Sequence, residues 1–321
     1  MGKSLIEIVE NFKGINVGVL GDVMLDHSLF GVIERLNPEN SASHLVKITG
    51  QNFMLGGAAN VAANVKSLGA KSTVYGLVGG DNQGDKIKEL CGAQGIKYYF
   101  GKCEDTIVKQ RVFSGNHYIS RNDFGEISIK PIDGGYAQEI SDQIFSGNNF
   151  DVIILSDYQK GLFLNDFGER IIAEATRRKI KTFTAPKPNT FQKFKEADVL
   201  CLNHNEGLDV IGRKNFSAEN TMIELKKLSC DSQIYLTCGE GGIVVYDGGI
   251  HTISTRARKL SEVTGAGDTV LSALALSLYS EASYIQAAKI ANYAAGIAVE
   301  KTGTSTLTSE ELIARIKEDL T

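Results

Sequence analysis

A glycine-rich turn that carries a carboxylate is the clearest candidate for chemistry in this sequence. Gly265, Ala266 and Gly267 precede Asp268, and the segment that follows, Val270–Leu278, is apolar on nearly all sides, which predicts a buried helix. Small residues before a helix let backbone N–H groups point together at an anion, and the helix dipole favours negative charge there. Asp268 would then be a general base that takes a proton from a hydroxyl, while the small residues stabilise a transferred phosphoryl group. The structural alternative is that Asp268 only caps the helix.

A second glycine motif stands earlier in the chain. Gly56 and Gly57 are followed by Asn60 and by an alanine-rich segment. Paired glycines allow a substrate to approach the backbone, and an asparagine amide offers both a donor and an acceptor to sugar hydroxyls. A helix buried by small residues would explain the alanines but not the spacing of the glycine pair and Asn60. We therefore expect this motif to bind a hydroxylated substrate.

Polar residues follow several apolar, β-branched runs that predict buried strands. These runs are Val17–Leu20, Thr73–Val78, Val152–Leu155, Lys181–Phe183, Val199–Leu202 and Ile234–Leu236. Five of them precede candidate binding residues: Asp22 and Asp26, Asp157 and Lys160, Lys187, Asn203 and Glu206, and Thr237, Gly239 and Gly242. One polar residue after a strand is often a helix cap, but ligands of open parallel sheets bind beyond the carboxyl ends of the strands. Five such positions together predict one long binding edge.

Two stretches interrupt the alternation of strands and helices. Gly31–Gly50 and Lys97–Lys130 alternate apolar with polar residues, which predicts antiparallel strands outside the main sheet. They predict a small β-strand lid over about residues 28–53 and 97–131. The remaining runs, separated by helical segments such as Gly168–Lys179, predict an α/β fold with a mostly parallel central sheet. We expect a single domain over residues 1–321.

The composition limits the classes of protein that this chain can represent. Of 321 residues, 42% are hydrophobic and 22% are charged, which is typical of a soluble globular protein and excludes a disordered or fibrous one. The formal net charge of −4 gives no general attraction for nucleic acid or acidic membranes. No stretch approaches the ~20 apolar residues of a membrane-spanning helix. Five cysteines without CxxC spacing, and no signal-peptide pattern in residues 1–10, predict a cytoplasmic protein with free thiols.

The assembled motifs resemble those of the PfkB, or ribokinase-like, family of carbohydrate kinases. The resemblance runs from Gly21 to Thr306 and includes, in order, the glycine pair with Asn60, Gly80-Asp81-x-x-Gly84, Asn203-x-x-Glu206, Thr237–Gly242 and Thr264–Asp268. The chain lacks a Walker A sequence, the protein-kinase motifs, a GxSxG elbow and a GxGxxG turn after its first strand. The resemblance implies a three-layer α/β/α fold and ATP-dependent phosphorylation of a sugar hydroxyl.

The same resemblance implies roles for individual residues. Asp268 would be the catalytic base, and Gly265–Gly267 would form the anion hole. Asn203 and Glu206 would organise Mg²⁺ and its waters around the ATP phosphates, which suits a cation that keeps most of its waters. The nucleotide would be bound by Thr237, Gly239, Gly242, Thr264, Asn292, Gly296 and Ser305. A monovalent cation, K⁺, is a further candidate cofactor.

More specific motifs resemble the heptose 7-phosphate kinases of bacterial ADP-heptose biosynthesis, which phosphorylate the anomeric O1. The motifs are Gly21–Asp26, Leu155–Gly161 and Gly303–Thr306. The resemblance implies a substrate site formed by Asp22, Asp26, Gly56, Gly57, Asn60, Lys109, Arg111, Arg121, Asp123, Asp157, Lys160 and Lys187. The lid cations would bind the phosphate that the sugar already carries. A solvated strand face is the alternative explanation for these lid charges.

Three departures from the family pattern leave the identity of the sugar open. Ala185 stands where an aspartate often precedes Pro-Lys, Glu262 replaces the usual aspartate before the Thr264–Asp268 motif, and Asn37–His44 lacks an expected apolar run. A kinase for another phosphosugar or a nucleoside, and a non-catalytic sugar-binding regulator, therefore remain alternatives. The expected partners are a sugar phosphate, ATP, a second copy bound through the lid and a separate nucleotidyltransferase, with no nucleic acid or membrane.

Overall fold

A large, mostly parallel sheet forms the centre of the structure. The computed structural model describes residues 2–115, 117–127, 129–147, 149–229, 231–257, 264–301 and 303–319. The sheet strands are β1 (Asn16–Gly21), β4 (Lys71–Gly79), β5 (Lys97–Cys103), β8 (Val152–Ser156), β9 (Lys181–Ala185), β10 (Val199–Asn203), β11 (Gln233–Thr237), β12 (Ile243–Tyr246) and β13 (Ile250–Ile253). Within the described residues their order is β13-β12-β11-β10-β9-β8-β1-β4-β5. In this spatial order, neighbouring strands from β11 through β8 and β1 to β5 pair in parallel. The pairs β11–β12 and β12–β13 are antiparallel. All six predicted strand runs lie in this sheet.

Helices cover both faces of the sheet. They are α1 (Leu5–Glu10), α2 (Ala58–Ser67), α3 (Asn82–Ala93), α4 (Gly134–Ser146), α5 (Phe167–Arg177), α6 (Phe191–Phe194), α7 (His204–Val210), α8 (Ala218–Leu228), α9 (Ala266–Tyr279), α10 (Tyr284–Val299) and α11 (Ser309–Glu318). Successive strand residues point to opposite faces, so Val19 enters the core shared with α2, α9 and α10, and Leu20 enters the core shared with α4, α5 and α8. The predicted three-layer α/β/α fold is confirmed. Among the described residues, no helix has the length and apolar character needed to cross a membrane.

A second, smaller sheet stands beside the central one, as predicted. Its strands are β2 (Val23–Asn37), β3 (Asn40–Gly57), β6 (Val108–Ser114) and β7 (His117–Phe124), in the order β3-β2-β6-β7. We call these four strands the lid sheet. The pairs β2–β3 and β6–β7 are antiparallel, but β2 and β6 run parallel to each other.

The predicted boundaries of the lid are wrong at two places. Lys97–Cys103 is the edge strand β5 of the central sheet, paired in parallel with β4. Most residues of β5 are exposed or half-buried and only Gly101 is buried, so the strand carries many exposed-type side chains, as a lid strand would. The lid also extends beyond residues 28–53, since Val23 is paired with Gly57 where β2 and β3 leave the central sheet.

Candidate active site

The carboxyl ends of the parallel strands meet at one edge of the central sheet. Gly21 of β1 is paired with Ser156 of β8, so that the residues after both strands emerge side by side. Asn203 of β10 is likewise paired with Thr237 of β11. The N-terminus of α9 reaches the same edge, because Asp268 contacts a side chain from the loop after β8. The residues that follow these strands therefore lie along one edge, and binding there stays a prediction.

Asp268 lies buried where α9 meets two other elements. Its Oδ2 accepts a hydrogen bond of 2.7 Å from Asn60 Nδ2 on α2, and its Oδ1 accepts one of 2.6 Å from the Tyr158 hydroxyl. Burial raises the pKa of Asp268 to about 6, and the two hydrogen bonds oppose that rise. The N-cap of α9 is Gly265, and no side chain caps this helix. The carboxylate is thus not a helix cap, and its pKa suits a base that works near neutral pH.

The turn before Asp268 has a shape that only small residues allow. Gly265 has a φ of +82°, and a Cβ there would lie 2.9 Å from Asn60 Nδ2. A Cβ on Gly267, by contrast, would meet no heavy atom within 4 Å. Open space therefore adjoins the N-terminal end of α9, where the backbone N–H groups and the helix dipole favour an anion.

The glycine pair before α2 is explained mainly by close packing against β2. Gly57 has a φ of +57°, and a Cβ there would lie 2.3 Å from the carbonyl oxygen of Asp22. A Cβ on Gly56 would lie 2.8 Å from Met24 and 3.0 Å from Asp26 Oδ2. The structure thus gives the pair a role in backbone packing. It places Asn60, one turn further on, against Asp268.

Asp22 organises the loop that follows β8. Its carboxylate accepts hydrogen bonds from the backbone N–H groups of Tyr158 and Lys160, both at 2.9 Å, and of Leu162 at 3.2 Å. Burial raises the pKa of Asp22 to about 6 despite these bonds. Asp157 is also buried and accepts from the Gln159 N–H at 2.8 Å and from the Thr190 hydroxyl. Both carboxylates, expected to contact substrate, are engaged with the protein itself.

The predicted lid cations lie in a network of ion pairs. Lys109 and Arg111 are two residues apart on β6 and so share one face of the lid sheet. Arg111 donates to Asp26 at 2.6 Å, and Lys109 donates to Asp123 at 3.0 Å. Arg121 on β7 also donates to Asp123, at 2.7 Å. The solvated-face alternative does not hold for Lys109 and Arg111, whose side chains are only 8% and 13% exposed.

A further carboxylate joins this network to the loop after β8. Glu126 accepts from Lys109 and forms an ion pair of 2.8 Å with Lys160. Burial lowers the pKa of Lys109, and its hydrogen bond with Asp123 opposes that shift. The Arg121 and Lys109 hydrogen bonds lower the pKa of Asp123, although burial alone would raise it. Each of these four cations therefore has a carboxylate partner in the described structure.

A cavity of about 670 Å³ lies next to the N-terminus of α9. Its lining is Thr237, Gly239, Glu240, Gly242, Ile243, Thr255, Ala257, Ala266, Gly267, Val270, Asn292, Ala295, Gly296 and Val299. Five of the seven residues predicted for the nucleotide are in this set; Thr264 and Ser305 are not among the described lining residues. The size and the apolar walls of this cavity are typical of a small-molecule site. Glu262 lies outside the described residues.

Asn203 and Glu206 are held by each other and by Lys187. The Asn203 side chain accepts from the Glu206 N–H at 2.8 Å, and Glu206 accepts from the Asn203 N–H at 2.9 Å, which forms a capping box at α7. Glu206 also accepts from Lys187 Nζ at 2.6 Å. The described residues contain no cluster of three or more His, Cys, Asp or Glu side chains suited to a metal. A single carboxylate with an amide nonetheless fits Mg²⁺, which is often held by one or two carboxylates, waters and substrate phosphates.

Three features of this region have little or no signal in the sequence. Tyr158 stands within the Leu155–Gly161 motif, but nothing in that motif indicates that its hydroxyl contacts Asp268. The only signal for Glu126 is its place as an acid shortly after a cationic strand. The apolar lining of the cavity, such as Ile243 and Val299, carries no signal, because such residues are indistinguishable in sequence from core.

The chain belongs to the pfkB family of carbohydrate kinases. The sequence model of this family matches residues 16–311. The matched stretch includes both glycine motifs and the elements that carry them. Kinases of this family use ATP, commonly with Mg²⁺ and sometimes with K⁺.

The sequence is also similar to several proteins that are named bifunctional protein HldE. The one from Geobacter metallireducens is 36% identical over 321 residues, covering 97% of this chain and 65% of the relative. The one from Shewanella amazonensis is 36% identical over 317 residues, covering 95% of this chain and 64% of the relative. The chain thus spans just under two thirds of the length of these relatives.

Solved structures share the fold. A putative ribokinase from Agrobacterium tumefaciens has a TM-score of 0.79 at 16% identity, covering 96% of this chain and 99% of that one. Phosphofructokinase-2 from Escherichia coli, in complex with potassium, has a TM-score of 0.78 at 15% identity, covering 95% and 99%. At this level of identity the likeness concerns the fold alone.

Proposed function

We propose that the chain transfers the γ-phosphoryl group of ATP to the anomeric O1 of D-glycero-D-manno-heptose 7-phosphate, yielding the 1,7-bisphosphate. The observation that carries the phosphoryl-transfer chemistry is the position of Asp268. It is buried, it follows Gly267, which lines the cavity at the N-terminus of α9, and it accepts a hydrogen bond from Asn60. The motifs Gly21–Asp26 and Leu155–Gly161, together with the HldE relatives, support a heptose 7-phosphate as the acceptor.

In this proposal Asp268 takes the proton of the O1 hydroxyl as that oxygen attacks the γ-phosphorus. The bond from this phosphorus to the bridging oxygen of the β-phosphate breaks, and ADP leaves. The backbone N–H groups at Ala266 and Gly267 stabilise the charge on the transferred group, together with the helix dipole. Bound Mg²⁺ would neutralise charge on the ATP phosphates, and Glu206 and Asn203 would hold it. Catalysis then comes from position and charge, without a covalent intermediate on the protein.

The lid network would recognise the phosphate on the sugar. Arg111 and Lys109 already bind carboxylates, so the site is preorganised for anionic oxygens. Asp26, the partner of Arg111, lies close enough to Asp268 to raise its pKa, which connects the network to the base. Glu126 bridges Lys109 and Lys160, and a phosphate dianion would compete with it for these cations. The network therefore favours a substrate that brings its own negative charge.

We further propose the biological setting that the sequence suggested. The phosphate that this reaction would place on O1 is the group on which a sugar nucleotidyltransferase acts, whether that enzyme is on another chain or in a fused domain. The outer strands β3 and β7 of the lid sheet leave open edges at which two copies can pair. Use of ATP is consistent with action in the cytoplasm.

A coupled assay of ADP release tests the proposed function. The acceptor panel is D-glycero-D-manno-heptose 7-phosphate, fructose 6-phosphate, ribose and adenosine, with a reaction lacking acceptor as the blank. We expect the heptose phosphate to give the highest kcat/KM by tenfold or more over unphosphorylated acceptors, equivalent to about 1.4 kcal/mol. A preference for ribose or adenosine would contradict the substrate and leave the family assignment intact. No ADP release with any acceptor would favour a sugar-binding regulator.

A further inference from the structure

We propose that Tyr158 is a positioning residue that, together with Asn60, clamps the Asp268 carboxylate in the orientation required for proton abstraction. The proposal rests on the proposed role of Asp268 as the base. It adds a residue that acts on the base from a separate element of the fold. Neither Tyr158 nor Asn60 needs to touch the transferred phosphoryl group for this role.

The clamp holds both oxygens of one carboxylate. The Tyr158 hydroxyl donates to Oδ1 at 2.6 Å, and Asn60 Nδ2 donates to Oδ2 at 2.7 Å. Two donors from opposite elements, the loop after β8 and α2, fix the rotation of the carboxylate about its bond to Cβ. Each carboxylate oxygen can still accept a second hydrogen bond, so a sugar hydroxyl can bind without displacing either donor.

The loop that carries Tyr158 is built to aim its side chain. Asp22 accepts the backbone N–H groups of Tyr158 and Lys160 from beneath the loop, and Asp157 accepts that of Gln159. Gln159 itself has a φ of +57°, which is unfavourable for a residue with a side chain. Such strain persists only where the surroundings hold the backbone firmly, and it is concentrated at functional sites. Two buried carboxylates thus maintain a strained loop whose first residue after Asp157 contacts the base.

Asn60 is fixed equally well from the other side. Asn64 Nδ2 donates to the Asn60 carbonyl oxygen at 2.9 Å and to its Oδ1 at 3.2 Å. The Thr269 hydroxyl of α9 donates to Asn64 Oδ1 at 2.9 Å. Because Asn60 Oδ1 accepts from Asn64, its amide nitrogen is left to face Asp268. The polar chain therefore determines which end of the Asn60 amide meets the base.

The charged groups around the clamp make its effect measurable. Burial has the largest influence on the pKa of Asp268 and raises it. Asp26 from the lid also raises this pKa, whereas Lys187 from the segment after β9 lowers it. Lys187 Nζ lies 5.1 Å from the centre of the Tyr158 ring and is paired with Glu206. Burial and the nearby Asp268 keep the pKa of Tyr158 well above its usual value, so the phenol stays a donor. Loss of this donor should raise the pKa of Asp268.

The test compares Tyr158→Phe with Tyr279→Phe in the ADP-release assay with D-glycero-D-manno-heptose 7-phosphate. Tyr279 is a matched control. Its hydroxyl also donates to a carboxylate, that of Asp151 at 2.7 Å, but it lies at the C-terminal end of α9, whereas Asp268 lies at the N-terminal end. For Tyr158→Phe we expect kcat to fall by roughly 10–100-fold, because the base is misplaced. We also expect the acidic limb of the plot of kcat/KM against pH to move to higher pH by at least half a pH unit. The control should keep the wild-type limb and turnover. A Tyr158→Phe limb that superimposes on the wild-type limb would overturn the proposal.

Two further measurements test the clamp even if Tyr158→Phe does not fold or if the proposed substrate is wrong. Incorporation of 3-fluorotyrosine at position 158 keeps the ring and the hydroxyl but makes it a stronger donor, so the acidic limb should move downward; no movement would count against the clamp. Without any sugar, a ¹³C titration of the Asp268 carboxyl, assigned with Asp268→Asn, should show the same ordering of pKa values among the variants. If Asp268→Asn retains turnover, Asp268 is not the base. If Asp268→Asn loses turnover but the Tyr158 variants leave the pKa of Asp268 unchanged, only the clamp is refuted.

Discussion

The two halves of the proposed active site differ in the groups that form them. The cavity proposed for the nucleotide is lined by glycines and apolar side chains such as Gly242 and Val270, next to the backbone N–H groups of α9. The lid side consists of charged side chains paired across strands, such as Arg111 with Asp26. Backbone groups and apolar walls suit a donor that all family members share, whereas paired charges suit one arrangement of anions on an acceptor. We infer that the first half serves phosphoryl transfer and the second serves acceptor choice.

Replacement of the base should have the largest effect on turnover and none on acceptor choice. Asp268→Asn removes proton abstraction, which typically contributes roughly 10²–10⁴-fold. We expect kcat to fall by that factor while the Kd for ATP stays within a few-fold, as measured by ADP release and calorimetry. Turnover within threefold of wild type would exclude Asp268 as the base.

The pH dependence of the wild-type enzyme should report the same group. Burial raises the pKa of Asp268 from 3.8 to about 6, so a growing fraction of the carboxyl is protonated below that pH and would not accept a proton from the sugar. We therefore expect kcat/KM to fall about tenfold per unit as the pH drops below 6 and to level off above it. Asp22, with a pKa also raised to about 6, titrates in the same range, so the limb should be steeper if its loop must stay ordered. A flat profile between pH 5 and 8 would contradict this assignment.

Two glycine substitutions should separate stability from turnover. A methyl group on Gly267 meets no atom within 4 Å but enters the space next to the N-terminus of α9. Gly267→Ala should therefore keep its Tm and lose about tenfold or more in kcat, because the anion hole is blocked. On Gly57, with φ +57° and a Cβ 2.3 Å from the Asp22 carbonyl oxygen, alanine should lower the free energy of unfolding by about 1–3 kcal/mol. Equal losses of Tm in both variants would undo this distinction.

The lid should decide affinity for the sugar phosphate alone. An arginine hydrogen-bonded to a phosphate contributes roughly 1.5–3 kcal/mol, so Arg111→Ala should raise the KM for heptose 7-phosphate about tenfold or more. The KM for ATP should barely change. Arg178→Ala is the control, since Arg178 pairs with Glu174 just before β9 begins, at the opposite edge of the sheet. The double variant Asp26→Asn/Arg111→Ala shows whether an unpaired Asp26 causes the effect; a normal KM in that variant would argue against phosphate binding by Arg111.

Features that depend on local pattern could be predicted from the sequence. Apolar runs such as Val152–Leu155 identified the buried strands, and the short turn before Asp268 identified the helix N-terminus. A mostly exposed strand at the edge of the central sheet resembles a lid strand in sequence, so the prediction that β5 lies outside the central sheet is wrong. Pairing across strands depends on register, which a single sequence does not specify. Contacts between distant loops and helices are equally unspecified by local pattern. The hydrogen bond from Tyr158 to Asp268 and the ion pairs of Glu126 with Lys109 and Lys160 are therefore visible only in the structure.

The smallest effect that we predict has the opposite sign to that of Arg111→Ala. Glu126 occupies Lys109 and Lys160, the cations that a substrate phosphate would need, so the protein's own anion competes with the substrate. Glu126→Gln keeps the shape and removes the charge, and should lower the KM for heptose 7-phosphate about three- to tenfold, within the range expected for one charge-assisted hydrogen bond. Glu104→Gln is the control, because Glu104 forms an exposed pair with Lys130 and should change nothing. The KM for an unphosphorylated sugar should be the same in all three proteins, since it gains nothing from the released cations. A raised KM for the sugar phosphate in Glu126→Gln would mean that Glu126 orients the lysines instead of competing for them.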